Sequence, residues 1–234
     1  MKALLKSLPI VGQALTRLHH WRIDPARRLQ NIFRGRKDLC IVQIGSNDGV
    51  TGDPVHLLLQ SNPSWKALLV EPVPFIFERL LKNYSENPNV KFANVAITQQ
   101  PGIADFYYID TTAKDYFPDL PYWFDQLGSF DRGHIARHFG IALDSFVVPL
   151  QVTTLPLSTV LDRNKVTKIN LLHIDTEGHD WIVLRQLDLM RFRPDVILIE
   201  HLHLSEDDKS MVVSFLERDY SITKLPVDFL CRKN

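Results

Sequence analysis

The chain holds only two cysteines, Cys40 and Cys231, in 234 residues, with no C-x-x-C pair and no histidine at ligand spacing beside either. That argues against a disulfide framework and a thiolate metal site; both thiols sit in apolar, strand-like runs and read as buried and reduced, which points to the cytoplasm. No apolar run approaches the twenty residues of a membrane-crossing helix. The leucine-rich start, Ala3 to Leu18, is broken by Lys6 and Pro9 and followed by no A-x-A-like site, so it does not read as a signal peptide. Neither G-x-G-x-x-G nor G-x-x-x-x-G-K-[ST] is present, which removes the usual cradles of a dinucleotide and a triphosphate. Nor is there a G-x-S-x-G or a helix-borne H-E-x-x-H, so the usual hydrolase and zinc-peptidase arrangements are missing too. No internal repeat or low-complexity tract occurs.

Net charge is zero in sum but uneven along the chain. Residues 1–37 carry nine lysines and arginines against the single acid Asp24, which leaves eighteen bases and twenty-six acids to the remainder. A basic arm therefore precedes an acidic body. At 45% hydrophobic and 23% charged, the chain can build one substantial core but not two ordinary domains. The expected division is an amphipathic helical arm over 1–37 and one domain over 38–234. The arm's leucines would pack on the body, or Arg17, Arg22, Arg27, Arg28, Arg34 and Arg36 would make a peripheral contact with a membrane or polyanion.

Within the body, apolar runs alternate with helical patterns. Strands are expected at Leu39–Ile44, Ala67–Val70, Val90–Ile97, Ala104–Ile109, Phe146–Thr153, Ile169–Ile174 and Val196–Ile199, and Tyr220–Leu225 with Asp228–Arg232 reads as a terminal antiparallel pair. Helices are expected through Pro54–Gln60, after Pro72-Val73-Pro74, at Ser158–Arg163, at Trp181–Leu189, and from the Ser205-x-x-Asp208 start to Glu217, with Met211, Val212, Phe215 and Leu216 as an apolar face. Residues 111–150 are aromatic and irregular. A stretch of that length in a compact domain reads as a lid or acceptor-binding insertion, in which Trp123, Phe130, His134, Arg137 and His138 could line a cleft. Alternating strands and helices make an α/β, doubly wound, mostly parallel sheet with helices on both faces.

Ligands of such sheets bind beyond the carboxyl ends of the strands. Gly45, Glu71, Asp175, Glu177, His201 and His203 all follow expected strands, so they should share one rim. The Gly45-Ser46-Asn47-Asp48-Gly49 turn brings backbone N–H groups near a ligand, and Glu71, at the end of the next strand, is spaced to take both hydroxyls of a ribose. Asn47 and Asp48 suit an amino-acid moiety better than a phosphate. S-adenosylmethionine fits that description.

With Val42 to Gly49, Leu69-Val70-Glu71-Pro72, Phe92 to Ile97, Val152 to Leu155 with Leu161, the Leu172-His173-Ile174-Asp175-Thr176-Glu177-Gly178 stretch and Ile197 to His201, the chain resembles the FkbM-like branch of class I S-adenosylmethionine-dependent methyltransferases over roughly residues 39–225. The resemblance implies a Rossmann-like, seven-stranded sheet and methyl transfer to a hydroxyl of a sugar, glycan or glycosylated natural product, with S-adenosylhomocysteine as product. It implies that Gln43, Gly45, Ser46, Asn47, Asp48 and Gly49 surround the methionine part, that Glu71 with Pro72 holds the ribose, that Asn94 and Ala96 border the adenine, and that Asp175 lies near the cofactor's amino group or the reacting centre. His179 and the His201-Leu202-His203 tail depart from commoner members.

Methyl transfer to a poorly acidic hydroxyl needs an oriented oxygen and a base. The candidates are His201, Glu177, His179 and Asp175, with histidine favoured by its ordinary pKa near neutrality. A divalent cation on Asp175, Glu177, Glu200 and His201 is the less favoured variant. Nucleic acid is not expected as a partner, because the body is acidic and lacks an N/D-P-P-Y/F motif. A cofactor-binding scaffold without catalysis is the alternative from another class.

Overall fold

The computed structural model describes residues 24–234, apart from the side chains of 136–139 and 141. Most of the expected arm, including Arg17 and Arg22, lies outside the described residues, as do the side chains of Arg137 and His138. Among the described residues no helix is long and apolar enough to cross a membrane.

Ten strands form two sheets: β1 (Cys40–Ile44), β2 (Lys66–Val70), β3 (Val90–Ala93), β4 (Ala96–Ile97), β5 (Gly102–Ile109), β6 (Val147–Leu155), β7 (Leu171–Ile174), β8 (Val196–Glu200), β9 (Tyr220–Lys224) and β10 (Asp228–Lys233). The main sheet has seven strands in the order β3-β2-β1-β7-β8-β10-β9. Its first five are parallel. β10 runs antiparallel to both β8 and β9. The fold is thus a Rossmann-like α/β sheet of the class expected. From β1 the chain moves outward through β2 to β3 and later returns to β7 on the other side, so the topological switch point lies between β1 and β7.

Central strands buried on both faces read as continuous apolar runs, and successive side chains go to opposite sides. On one face Ile41, Leu69 and Leu171 meet helices α1 (Pro25–Ile32), α2 (His56–Ser61) and α3 (Pro74–Asn83) through Leu29, Leu58 and Leu80. On the other, Val42, Val70 and Leu172 meet α6 (Leu157–Arg163), α7 (Asp180–Leu184) and α8 (Glu206–Leu216) through Leu161, Leu184 and Val212. Ser205 caps α8 by accepting from the Asp208 N–H at 3.1 Å. Met211, expected inward, is half exposed at 51%. Helix α7 is shorter than expected, because Gln186 and Leu187 donate three residues back, to Val183 and Leu184, and end it in a tight turn.

The described end of the arm belongs to this core. Asp24 caps α1, Leu29 is fully buried and Phe33 nearly so, and Arg36 reaches Asp195 at 3.3 Å. Leu29→Ala should therefore cost about 2–5 kcal/mol, the range for emptying a buried leucine site. A urea denaturation curve with its midpoint lowered and its slope unchanged would show it; an unmoved midpoint would mean that α1 is not part of the folded core.

The expected single strand Val90–Ile97 is split. The Asn94 side chain donates to the carbonyls of Glu71 at 2.8 Å and Pro72 at 3.0 Å, which breaks the ladder and turns Ala96–Ile97 into a second, three-stranded sheet, β4-β6-β5. Between β5 and β6 the expected insertion forms a cap of short helices: α4 (Ala113–Tyr116), a 3-10 turn at Phe124–Gln126, α5 (Arg132–Phe139) and a second 3-10 turn at Ile141–Phe146. It has its own apolar centre around Ile109, Leu120, Phe124 and Leu143. Trp123 packs against that centre and is not among the residues lining the crevice described next.

Candidate active site

A crevice opens at the switch point, beyond the carboxyl ends of β1, β2 and β7. Its sheet side is Gly45, Asn47, Glu71, Pro72 and Asp175, its flank is Val95, Ala96 and Ile97, and the cap contributes Gln126, Gly128 and Phe130. Four contacts fasten the cap over it. Arg79 pairs with Asp125 at 2.7 Å, Gln126 donates to Asp48 at 3.1 Å, Ser129 donates to the Glu177 carbonyl at 3.1 Å, and His134 Nε2 lies 3.0 Å from Glu177 Oε2.

The glycine turn is built by close packing. Gly45 has φ +80°, and a Cβ there would sit 1.7 Å from the Asp175 carbonyl oxygen on the neighbouring strand. Asn47 follows in the left-handed region and sends its N–H to Glu71 Oε2 at 3.0 Å. The Val73 N–H donates to Glu71 Oε1 at 2.9 Å, so the carboxylate is gripped on both oxygens by backbone. A carboxylate has about four lone-pair directions, which leaves Glu71 two acceptor sites toward the crevice.

The other expected turn residues hold the loop instead of facing the crevice. Gln43 is buried and donates to Asp53 at 3.0 Å; Ser46 donates to the Gln43 carbonyl and accepts from the Val70 N–H. Burial pushes Asp48 up, but hydrogen bonds from Thr51, Val50 and Gln126 win and hold it below the usual carboxylate range. Gly49 receives the Tyr84 hydroxyl on its carbonyl at 2.7 Å. Asn94 spends its amide on the loop after β2 and is absent from the lining, whereas Ala96 is present.

The base candidates separate. Glu177, Asp175 and His179 line the crevice; His201 does not. Its backbone N–H pairs with the Val227 carbonyl and its Nε2 donates to the Leu225 carbonyl at 3.0 Å, while its ring lies on Phe229 at 4.4 Å. Those bonds extend the antiparallel contact with β10 past the strand end and turn the side chain away from the rim. Burial lowers its pKa, and its Nε2–H is spent on that carbonyl. The histidine brought to the rim from that tail is His203, whose Nε2 lies 3.3 Å from Glu177 Oε2 and 3.6 Å from Glu200 Oε1. Glu177 itself is buried at 7% exposure with φ +51°, a conformation that costs a non-glycine residue about 1–2 kcal/mol. The donor atoms of His134, Glu177 and His203 all lie within 4.8 Å of one another. His134 comes from the cap, and no sequence spacing could have paired it with Glu177.

The sequence of this crevice-bearing region decides the family: the model described as Methyltransferase FkbM domain matches residues 43–222. The chain belongs to the FkbM methyltransferase family. It is therefore a methyltransferase of an S-adenosylmethionine-dependent family. No curated protein matches the chain by sequence. Among solved structures, similar folds include a fibrillarin/Nop5p complex (16% identity, 90% of this chain and 83% of that one, TM-score 0.45), precorrin-6y C5,15-methyltransferase from Geobacter metallireducens (13%, 89% and 87%, 0.43) and Aeropyrum pernix fibrillarin with natively bound S-adenosyl-L-methionine (13%, 89% and 73%, 0.44). At these scores they carry no weight beside the family match.

Two features of this FkbM methyltransferase's crevice fit the family's cofactor. One is the spare acceptor capacity of Glu71. The other is a buried, unpartnered atom, His179 Nε2. The His179 ring bonds the Ile97 carbonyl and rests 4.7 Å from the Phe130 ring, and burial lowers its pKa. A neutral imidazole whose Nδ1–H is taken by a carbonyl presents Nε2 as an acceptor, beside the apolar lining of Ile97 and Phe130.

Burial raises the Glu71 pKa to about 7. Hydroxyls donate to the ionised form, so S-adenosylhomocysteine affinity should be full above that pH and fall about tenfold between pH 8 and pH 6. Calorimetry at the two pH values, with Glu71→Gln as a variant lacking the step, would check this. An equal drop in the variant would assign it to another group.

Proposed function

We propose that this methyltransferase O-methylates a hydroxyl of a sugar, glycan or glycosylated small molecule. When bound, S-adenosylmethionine supplies an electrophilic methyl group on a sulfonium and leaves as S-adenosylhomocysteine. Glu71 would receive the ribose hydroxyls, Gly45 and Asn47 would border the amino-acid part, and Ile97 and Phe130 would flank the purine while His179 Nε2 accepts from its amino group. The observation that carries the hydroxyl reading is the His134–Glu177–His203 cluster, whose Glu177 lines the crevice. A neutral amine needs only orientation to accept a methyl group, but a sugar hydroxyl must also lose a proton. The cluster would draw that proton as the acceptor oxygen becomes an ether.

The cap supplies a second support. Tyr116 and Tyr122 stand 72% and 69% exposed on it, and aromatic faces with polar tips suit sugar rings. The test is transfer of a labelled methyl from S-adenosylmethionine to panels of free sugars, glycosides, glycolipid extract, RNA and protein. A mass gain of one methylene on a glycan, borne by an ether after hydrolysis to monosaccharides, is the expected result. Label found only in RNA, protein or amines would overturn it.

A further inference from the structure

We propose that His134, Glu177 and His203 form a binding site for a divalent first-row transition metal such as Zn²⁺ or Mn²⁺. The three side chains arrive from separate segments: the start of α5 in the cap, the turn after β7 and the turn after β8. They converge with Glu177 Oε2 at 3.0 Å from His134 Nε2 and 3.3 Å from His203 Nε2. Ligands in cis positions on a metal with bonds near 2.1 Å stand about 3.0 Å apart in octahedral and about 3.4 Å in tetrahedral geometry, so these separations match edges of a coordination polyhedron. Both imidazoles present Nε2, the two rings cross at 86° with centroids 4.4 Å apart, and Glu200 Oε1 stands behind His203 Nε2 at 3.6 Å, outside the three-donor set.

The donor types choose the metal. Two imidazoles and a carboxylate suit zinc, manganese, iron or cobalt, whereas magnesium and calcium favour all-oxygen sites. The set differs from the ring of Asp175, Glu177, Glu200 and His201 expected from sequence, because His201 is turned to β10 and the cap supplies His134 instead. Burial favours occupation as well. His134 and Glu177 are each 7% exposed, and a buried carboxylate gains from a cation that offsets its lost hydration.

Three protein donors leave coordination positions open, which is the mark of a catalytic and not a structural site. Glu177 also lines the crevice, so a cation here would meet the acceptor. This consequence rests on the hydroxyl-acceptor reading above: a cation in the cluster would replace its direct uptake of the proton, polarising the hydroxyl and lowering its pKa, with the proton released to water at the crevice mouth.

The experiment is calorimetric titration of the chelator-stripped full chain with Zn²⁺, Mn²⁺ and Mg²⁺, in parallel with S-adenosylhomocysteine, for the natural protein and for His134→Ala, His203→Ala and Glu177→Gln. Expected is one Zn²⁺ or Mn²⁺ per chain at micromolar or tighter affinity, with Mg²⁺ far weaker. Each substitution should weaken the metal by about 1,000-fold or more, beyond the 10- to 100-fold typical of losing a mere outer partner, while S-adenosylhomocysteine still binds. Absence of 1:1 metal binding by the natural protein, with S-adenosylhomocysteine bound normally, would leave the cluster a hydrogen-bonded proton network only and would overturn the site without touching the methyltransferase reading. Unchanged metal affinity in both histidine variants would overturn it equally. If a variant fails to fold, the titration of the natural protein still decides, and metal binding without any S-adenosylhomocysteine binding would sustain the site while removing the cofactor reading.

Discussion

Gly45→Ala should abolish measurable cofactor binding and cost roughly 3–4 kcal/mol of folding stability, the upper end for overpacking combined with a left-handed backbone. The added methyl would lie 1.7 Å from the Asp175 carbonyl oxygen and 2.8 Å from its carbon. Neither atom belongs to a flexible side chain. Relief requires β1 and β7 to separate, yet the Asp175 N–H is bonded to the Ile44 carbonyl at 3.0 Å, while the Gly45 N–H, bonded to the Val70 carbonyl at 3.0 Å, holds β1 to β2 on its other side. The strain therefore falls on the junction that forms the floor of the crevice. Urea denaturation and S-adenosylhomocysteine calorimetry on the same preparation would measure both effects. A variant with natural stability and binding would show that the strands give way easily, and that the glycine is not a requirement of the site.

Glu71→Ala should weaken S-adenosylhomocysteine binding about 100-fold. Two charge-assisted hydrogen bonds from ribose hydroxyls, at about 1.5 kcal/mol each, account for that factor. The substitution also strips the Asn47 and Val73 N–H groups of their acceptor, so a destabilisation of about 1–3 kcal/mol should accompany it. Glu71→Gln keeps one acceptor oxygen and should fall between, near tenfold. Calorimetry separates these losses from unfolding, because a folded fraction that binds weakly shifts affinity and not stoichiometry. Full affinity in Glu71→Ala would place the ribose elsewhere.

The strands of the main sheet were legible because each is an apolar run closed by a turn or an acid, and Gly45, Glu71 and Asp175 fell on one rim because parallel strands end together. What escaped depended on side chains distant in sequence. Asn94 breaks β3 from β4 through bonds to Glu71 and Pro72 that no local propensity encodes. His201 and His203 are two residues apart on a strand end and look equivalent, yet the β10 hairpin claims the first and leaves the second beside Glu177. His134 lies in the irregular insertion, and only the cap's fold brings it across the crevice. Gln43, Ser46, Asp48 and Gly49 were expected around the ligand because the turn is read as a unit; the structure divides it into Gly45 and Asn47, which line the crevice, and the others, which hold it.

The most direct test of the central claim is calorimetric titration of the full chain with S-adenosylmethionine and S-adenosylhomocysteine, with NAD as the competing adenine ligand and Glu71→Ala as the altered site. One adenosyl ligand per chain at micromolar affinity, weakened about 100-fold in Glu71→Ala and with NAD silent, is the predicted result. No binding of either adenosyl ligand, or NAD binding equally well, would contradict it.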